Sequence, residues 1–180
     1  MIDLSAAVIV ITGAMAAGKS TVAQRLAERL PRAAHVRGDV FRRMIISGQQ
    51  EFTPEQATEA MAQLRLRYRL SAATADGYAQ SGFTAVIQDV ILGPQLADYL
   101  ALITTRPRFV VVLAPRPEVL QDREEARTKN GYGEWTVESL DYSVRNDTPR
   151  LGLWLDNSDQ TPDQSVDEIL AKLTEARLPD

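Results

Sequence analysis

The chain contains no cysteine and only one histidine among its 180 residues. Disulfide bonds, thiolate nucleophiles and metal sites built from cysteine or several histidines are therefore excluded. Aromatic residues make up only 6% of the chain, and no apolar run approaches the ~20 residues that a membrane-spanning helix requires. The composition is that of an ordinary globular protein with no membrane partner.

An excess of positive charge is also missing. Twenty basic and 24 acidic side chains give a formal net charge of −4 at pH 7. This balance offers no electrostatic basis for binding duplex nucleic acid, although a phosphate pocket could still be locally basic. The amino-terminal residues include Asp3 and no basic residue before Lys19, so we predict no secretory signal and expect a cytoplasmic protein.

A length of 180 residues fits one α/β domain that spans residues 1–180. Short apolar runs alternate with longer amphipathic segments, which indicates βα units on a mostly parallel sheet. Strands are predicted at 7–12, 34–38, 84–88, 108–114 and 152–155. Helices are predicted at 18–30, 40–47, 53–82, 94–103, 117–127, 136–146 and from 161 onward. The second long helix has an N-terminal signature at 53–56, where threonine precedes proline and glutamine occupies the third helical position.

A glycine-rich segment follows the first predicted strand and opens the first helix. Residues 13–20 read Gly-Ala-Met-Ala-Ala-Gly-Lys-Ser and match the phosphate-binding pattern G-x-x-x-x-G-K-[ST]. Backbone N–H groups of such a loop face the phosphates, the lysine reaches the β and γ oxygens, and the serine hydroxyl binds Mg²⁺. The predicted nucleotide-binding residues are Gly13, Ala14, Met15, Ala16, Ala17, Gly18, Lys19, Ser20 and Thr21.

Three further segments carry a family resemblance. They are Gly38-Asp39 after the second strand, the run Val-Ile-Gln-Asp-Val-Ile-Leu-Gly at 86–93, and Asp-Arg-Glu-Glu-Ala-Arg at 122–127. With the phosphate loop, they make the chain resemble the small P-loop kinases, most closely the chloramphenicol phosphotransferase-like phosphotransferases.

The resemblance implies an α/β fold of three layers, with a five-stranded parallel sheet in the order 2-3-1-4-5. It also implies a helical insert at 40–82 that receives the acceptor and a helical lid at 122–136. ATP and Mg²⁺ would be the cofactors, and a small molecule with a hydroxyl group would be the acceptor.

Two acidic residues follow predicted strands at the sheet edge where open α/β folds bind ligands. Asp39 is a candidate general base for the acceptor hydroxyl, and its other interpretation is an N-cap for the next helix. Asp89 occupies the position where P-loop enzymes commonly place an acid that holds Mg²⁺, directly or through water. Its other interpretation is a turn or capping residue. We predict Ser20 and Asp89 as the metal-site residues.

Arg123 and Arg127 are four residues apart, so they share one helix face in the predicted lid. Opposite a phosphate loop, they are candidates to stabilise charge on the transferring phosphoryl group together with Lys19. A solvated face paired with nearby glutamates is the alternative. A second basic stretch, which includes Arg42, Arg43 and residues 65–69, could line an anionic acceptor site or simply face solvent.

These observations predict an ATP- and Mg²⁺-dependent kinase that phosphorylates the hydroxyl of a small molecule resembling an antibiotic, sugar or nucleoside. A nucleotide or polynucleotide 5′-hydroxyl kinase is the nearest alternative. A nucleotide-binding switch without a phosphorylated product is a third hypothesis, although the chain has no N-K-x-D motif for guanine. The acceptor, the choice between ATP and GTP, and the oligomeric state are not determined by the sequence.

Overall fold

A computed structural model describes residues 3–50, 58–126 and 135–179 of the chain. The helix signature predicted at 53–56 lies outside these residues. Most of the predicted lid, including Arg127, lies outside them as well.

Five parallel strands form a single sheet in the order β2-β3-β1-β4-β5. The strands are β1 (Val8–Gly13), β2 (Ala33–Arg37), β3 (Thr84–Gln88), β4 (Arg108–Leu113) and β5 (Leu153–Leu155). The predicted topology is confirmed, and each predicted strand end lies within one residue of the observed end. The prediction succeeded because β1, β3 and β4 are covered on both faces, so they appear in the sequence as unbroken apolar runs.

Eight helices surround this sheet in the described part of the chain. They are α1 (Lys19–Arg29), α2 (Gly38–Arg43), α3 (Thr58–Gln80), α4 (Gln95–Leu102), α5 (Pro117–Glu125), α6 (Val137–Tyr142), α7 (Pro162–Ala171) and α8 (Leu173–Ala176). No helix among these residues is both long enough and apolar enough to cross a membrane.

Strand order determines on which face each helix packs. The chain moves toward one edge of the sheet from β1 to β2, and toward the other edge from β2 to β3 and from β3 to β4. Right-handed crossovers in opposite directions place α1 on one face and α3 and α4 on the other. Accordingly, α1 packs against α7 and α3 packs against α4. The result is the three-layer arrangement that the sequence predicted.

Three helices differ from prediction by more than a shift of one or two residues at an end. The short helix predicted at 40–47 begins at Gly38 and ends at Arg43. The helix predicted at 136–146 ends at Tyr142 and continues as a π-helical turn over Ser143–Asp147. The final helix breaks at Lys172, whose backbone leaves helical geometry before α8 begins. Periodicity locates a helix but does not register such local changes in winding.

The connection after β3 is fixed to the start of the phosphate-binding loop. The Thr12 hydroxyl donates to the Ile91 carbonyl at 2.8 Å and accepts from the Ile91 N–H at 2.9 Å, and both residues are fully buried. Tyr68 on α3 donates from its hydroxyl to the Val90 carbonyl at 3.0 Å. The segment that follows β3 is therefore held in place from the sheet and from α3.

Gly152 lies where the backbone passes closest to the central sheet. Its φ is +68°, and an added Cβ would lie 2.3 Å from the Val110 carbonyl oxygen of β4. Gly82 has a similar φ of +81°, but its Cβ would be 3.7 Å from the nearest atom, on the Arg32 side chain. Comparing substitutions at Gly152 and Gly82 therefore separates the strain of a left-handed backbone from the effect of a steric clash.

We expect Gly152→Ala to lower the free energy of unfolding by about 2–4 kcal/mol, because a buried strand cannot move away from the methyl group. Gly82→Ala is the matched control and should cost about 1 kcal/mol, the price of left-handed backbone alone. Urea denaturation of both variants measures the difference. Equal losses would mean that β4 and β5 can separate without cost.

Candidate active site

The phosphate-binding loop joins β1 to α1 through three residues with positive φ. They are Gly13 at +143°, Ala16 at +62° and Gly18 at +93°. An added Cβ on Gly13 would lie 2.4 Å from the Leu113 carbonyl oxygen, so the first glycine of the pattern is required by the neighbouring strand. Ala16 adopts the left-handed conformation although it is not glycine, at a cost of about 1 kcal/mol.

The first turn of α1 is open to an anion. Gly18 is the N-cap residue and supplies no capping side chain, and the first turn of α1 contains no acidic residue. Such N–H groups require an acceptor, and the helix dipole favours a negatively charged one. An uncapped helix start after a glycine-rich loop therefore fits a phosphate group.

Lys19 is buried beside this loop, with only 8% of its surface exposed. Its Nζ donates to the Ala14 carbonyl oxygen at 2.7 Å. The ammonium group thus lies across the loop whose N–H groups are expected to face the phosphates. This is the position from which a lysine can contact bound phosphate oxygens.

A short chain of hydrogen bonds joins the predicted metal serine to the predicted base. The Ser20 hydroxyl donates to Gln88 Oε1 at 3.2 Å, and Gln88 Nε2 donates to Asp39 Oδ1 at 3.5 Å. Gln88 is the buried last residue of β3, whereas Ser20 and Asp39 lie on the first turns of α1 and α2. Three elements therefore converge at the carboxyl edge of the sheet.

Asp39 lies in the first turn of α2 but makes no N-cap hydrogen bond, because Arg37 is the N-cap residue. Arg43 Nη2 contacts its Oδ2 at 2.6 Å, and Arg37 Nε lies 3.5 Å from its Oδ1. Its carboxylate is 42% exposed, so an acceptor molecule can reach it.

Asp89 is engaged by an arginine that the sequence left as part of a general basic stretch. Arg67 on α3 donates through Nε to Asp89 Oδ2 at 2.8 Å and through Nη2 to Oδ1, a bidentate ion pair. The Asp89 carboxylate also accepts from the Val90 N–H at 2.7 Å and is 1% exposed. Direct binding of a metal ion by Asp89 would require Arg67 to move.

Burial and charge act in opposite directions on this pair. Burial raises the pKa of Asp89 above its ordinary value, and the charge of Arg67 opposes that rise. Burial is the largest single influence on the pKa of Arg67 and lowers it, but the charge and hydrogen bonds of Asp89, together with smaller effects of Tyr68 and Asp39, raise that pKa above its ordinary value. Arg67 therefore remains charged, and its two-point contact compensates the buried carboxylate.

Gly38 makes room for the Asp89 carboxylate. An added Cβ at position 38 would lie 1.9 Å from Asp89 Oδ2 and 2.4 Å from its Cγ. Gly38 therefore leaves space for the carboxylate of Asp89, and the next residue, Asp39, provides the second carboxylate of the site.

Arg123 reaches the phosphate loop from α5. Its Nη2 donates to the Asn157 carbonyl at 2.9 Å, and its Nη1 lies 3.5 Å from the Ala17 carbonyl oxygen. Asn157 follows β5, and its buried Nδ2 donates to the same Ala17 oxygen at 2.9 Å. Arg123 therefore contacts the phosphate loop, whereas Arg127 lies outside the described residues.

One cavity of about 440 Å³ is lined by the predicted site residues Lys19, Ser20, Asp39, Asp89 and Arg123. Its described lining contains four basic side chains and two acidic ones. They are Lys19, Arg37, Arg67 and Arg123, with Asp39 and Asp89. The cavity is locally basic in a chain of net charge −4, which suits a polyphosphate.

Among the described residues, no group of three histidine, cysteine or acidic side chains could hold a metal ion on its own. This fits Mg²⁺ in a nucleotide site, because Mg²⁺ keeps several waters and takes other oxygens from the phosphates. Ser20 and Asp89, the residues predicted for the metal ion, line the same cavity.

Sequence reasoning missed the roles of Gln88, Arg67 and Asn157. A glutamine at the end of an apolar strand is a visible signal, since a buried amide needs partners. Arg67 carries no such signal, because Arg65 and Arg69 look the same in the sequence and only the packing of α3 distinguishes them.

The sheet order and the loop at the end of β1 define the fold of the P-loop kinases. Residues 8–149 match the family model AAA_33, described as an AAA domain, and the chain belongs to this family. No functionally curated protein matches the chain in sequence.

Solved structures with the same fold share little sequence with the chain. A sugar kinase from Janibacter sp. is 21% identical, with a TM-score of 0.68 over 94% of this chain and 95% of that one. The APS kinase CysC of Mycobacterium tuberculosis, in complex with AMPPNP and APS, is 20% identical, with a TM-score of 0.65 over 93% and 96%. The tunicamycin resistance protein of Deinococcus radiodurans is 16% identical, with a TM-score of 0.61 over 96% and 98%.

We expect Gly38→Ala to lower the free energy of unfolding by about 1–3 kcal/mol, because the new methyl group displaces the Asp89 carboxylate from Arg67. A double-mutant cycle with Asp89→Ala, followed by chemical denaturation, isolates this cause. The cost of Gly38→Ala should be smaller when the carboxylate is absent. An unchanged cost in the Asp89→Ala background would assign the effect to α2 itself.

Proposed function

We propose that the protein is an ATP- and Mg²⁺-dependent kinase that transfers the γ-phosphate to a hydroxyl group of a small molecule. The observation that carries this proposal is the convergence of Lys19, Ser20, Asp39 and Arg123 on one basic cavity. A loop that only binds nucleotide has no need of an exposed carboxylate at the phosphate end of its site. We also propose that the protein is a member of the chloramphenicol phosphotransferase-like family and that it is cytoplasmic.

The proposed transfer follows from the placement of these groups. The acceptor oxygen forms a bond to the γ-phosphorus while the bond from that phosphorus to the β-γ bridging oxygen breaks. Asp39 receives the hydroxyl proton, and ADP carries away the bridging oxygen. Lys19 and the first N–H groups of α1 hold the phosphates. Arg123 and Arg127 neutralise charge on the γ-phosphoryl group during its transfer.

Ser20 and Asp89 would serve the metal ion, which neutralises phosphate charge when bound. Ser20 offers a hydroxyl that is fixed by Gln88. Asp89 would hold the ion through water as long as Arg67 occupies its two oxygens. Arg67 is thereby held at the cavity wall.

The deciding experiment incubates the protein with γ-labelled ATP, Mg²⁺ and a panel of uncharged alcohols, sugars, sugar acids and nucleosides. Label should appear in a phosphate ester of at least one acceptor, and Lys19→Ala should abolish it while circular dichroism shows an intact fold. Tight nucleotide binding without transfer to any acceptor would support a nucleotide-binding switch instead. Transfer only to nucleotides or to oligonucleotide 5′ ends, tested as additional acceptors, would support the nucleotide or polynucleotide kinase.

We expect Asp39→Asn to reduce transfer by roughly 10²–10⁴-fold with little change in ATP affinity, because asparagine cannot take the proton. The measurement is single-turnover phosphorylation of the acceptor found above, together with an ATP titration. Arg43→Gln is the matched control, since it removes the main ionic partner of Asp39 but keeps the carboxylate. A folded Asp39→Asn variant with full turnover would remove Asp39 from the mechanism.

We expect Asp89→Asn to weaken ATP binding by about tenfold in the presence of Mg²⁺, and by less without it. Paired titrations of ATP with and without the metal ion test this, after the stability of the variant has been measured. If Asp39→Asn loses the Mg²⁺-dependent affinity and Asp89→Asn keeps it, the proposed roles of the two acids are reversed.

A further inference from the structure

Gln88, the last residue of β3, is a buried polar side chain between the two halves of the site. In the sheet it is paired with Ile11 of β1 on one side and with Arg37 of β2 on the other. β1 leads directly into the phosphate-binding loop, and β2 leads directly into α2, which carries Asp39. Gln88 therefore lies between the elements that hold the nucleotide and the element that supplies the base.

The end of β3 presents polar side chains to both faces of the sheet. α1 and α3 both pack on β3, and they lie on opposite faces. Successive strand residues point to opposite faces, so Asp89 contacts Arg67 on α3 while Gln88 contacts Ser20 on α1. Asp89 is committed to its ion pair. Gln88 is the residue of β3 whose side chain contacts both Ser20 and Asp39.

The chemistry of its two partners determines which way the Gln88 amide points. An ionised carboxylate accepts hydrogen bonds and donates none, so Asp39 must face the amide nitrogen. The amide oxygen then faces Ser20, whose hydroxyl must donate to it. The lone pairs of Ser20 Oγ are thereby left for other partners, which is what a cation requires of a hydroxyl ligand.

The opposite amide orientation would be unfavourable at both ends. It would bring the Gln88 oxygen against a carboxylate oxygen of Asp39, and two acceptors without a proton between them repel each other. It would also direct an amide N–H at Ser20 Oγ and occupy a lone pair there. The charge of Asp39 thus selects the amide orientation that keeps Ser20 available to a metal ion.

Gln88 differs from the other partners of Asp39 in its burial. Arg43 and Arg37, which contact the same carboxylate, have side chains that are 61% and 47% exposed, so water screens both contacts. Gln88 is 5% exposed and belongs to a central strand. Its contact with Asp39, at 3.5 Å, is the longer of its two hydrogen bonds. Catalytic hydrogen bonds often tighten only in the complex with substrate.

Resting on the proposed function, we infer that Gln88 is a positioning residue, which holds Ser20 in its metal-binding orientation and Asp39 in its proton-accepting one through a single amide. An amide serves both residues because it carries an acceptor and a donor on the same planar group. An apolar side chain of the same size would leave the hydroxyl and the carboxylate free to turn. Each of the two residues therefore depends on the orientation of the other.

The test starts from Gln88→Met, which keeps a similar volume and removes both contacts. Calorimetric titration with AMPPNP, with and without Mg²⁺, gives the ratio of the two affinities, which we call the Mg²⁺ factor. This ratio reports on the Ser20 contact. Single-turnover transfer to the acceptor found above reports on the Asp39 contact. Gln88→Met should lower the Mg²⁺ factor by about fivefold or more and transfer by about tenfold or more.

Crossed double variants distinguish positioning from a general loss of structure. In an Asp39→Asn background, Gln88→Met should still lower the Mg²⁺ factor but should reduce transfer by less than about threefold. In a Ser20→Ala background it should still lower transfer but leave the Mg²⁺ factor nearly unchanged. The same fold-losses of both quantities in every background would mean that Gln88 only stabilises the sheet, and would overturn the inference.

Thr84→Val is the matched control for a lost hydrogen bond in β3. Thr84 is the first residue of the strand, is 3% exposed, and donates from its hydroxyl to the Leu4 carbonyl at 2.7 Å. The variant should lower the melting temperature but leave the Mg²⁺ factor and transfer unchanged. If Thr84→Val lowers transfer as much as Gln88→Met does, the inference is wrong.

The remaining outcomes separate Gln88 from the kinase. Transfer that Gln88→Met leaves at the native rate would keep the proposed function and overturn the inference. If no alcohol accepts phosphate, the proposed function fails, and the Mg²⁺ factor and urea denaturation still decide the role of Gln88. A lowered Mg²⁺ factor, with non-additive midpoint shifts for Gln88→Met and Asp39→Asn, would support the link between the two residues. An unchanged Mg²⁺ factor with additive shifts would overturn it.

Discussion

The ion pair between Arg67 and Asp89 connects the elements that form the candidate site at the carboxyl edge of the sheet. Asp89 follows β3, Arg67 belongs to α3, and the space for their contact exists because residue 38 at the start of α2 is glycine. A buried carboxylate is costly unless a partner satisfies it, so each of these elements constrains the others. Helices α2 and α3 are consequently positioned relative to the phosphate loop by one charged contact as well as by apolar packing.

The same pair divides the charges of the site into two groups. Arg67 and Asp89 cancel each other at the wall of the phosphate cavity, and Asp39 lies among arginines at its mouth. Lys19 and the open start of α1 face the other side, where nothing acidic in the first turn opposes an anion. Positive potential is therefore concentrated on the phosphate side. A net charge of −4 for the whole chain conceals this separation.

The buried strands and the phosphate loop could be predicted because their signals are local. The apolar run of β3 and the glycine-rich turn after β1 each consist of consecutive residues, so both can be recognised without knowing the fold. Arg67 could not be predicted in the same way, since its partner is 22 positions away and its helical neighbours Arg65 and Arg69 are of the same type. The assignment of Asp89 needed the same distant contact, because a lone aspartate after a strand fits a metal ligand, a cap or half of an ion pair equally well.

The uncapped start of α1 has a consequence for the lifetime of the folded chain. Because the N-cap residue Gly18 offers no side chain to cap the helix, an anion bound in the loop completes it, so occupancy and folding are thermodynamically linked. A ligand at 100 times its dissociation constant adds about 2.7 kcal/mol to the free energy of unfolding. Resistance of this chain to proteolysis would then follow the supply of nucleotide, and the protein would persist longest in well-energised cells.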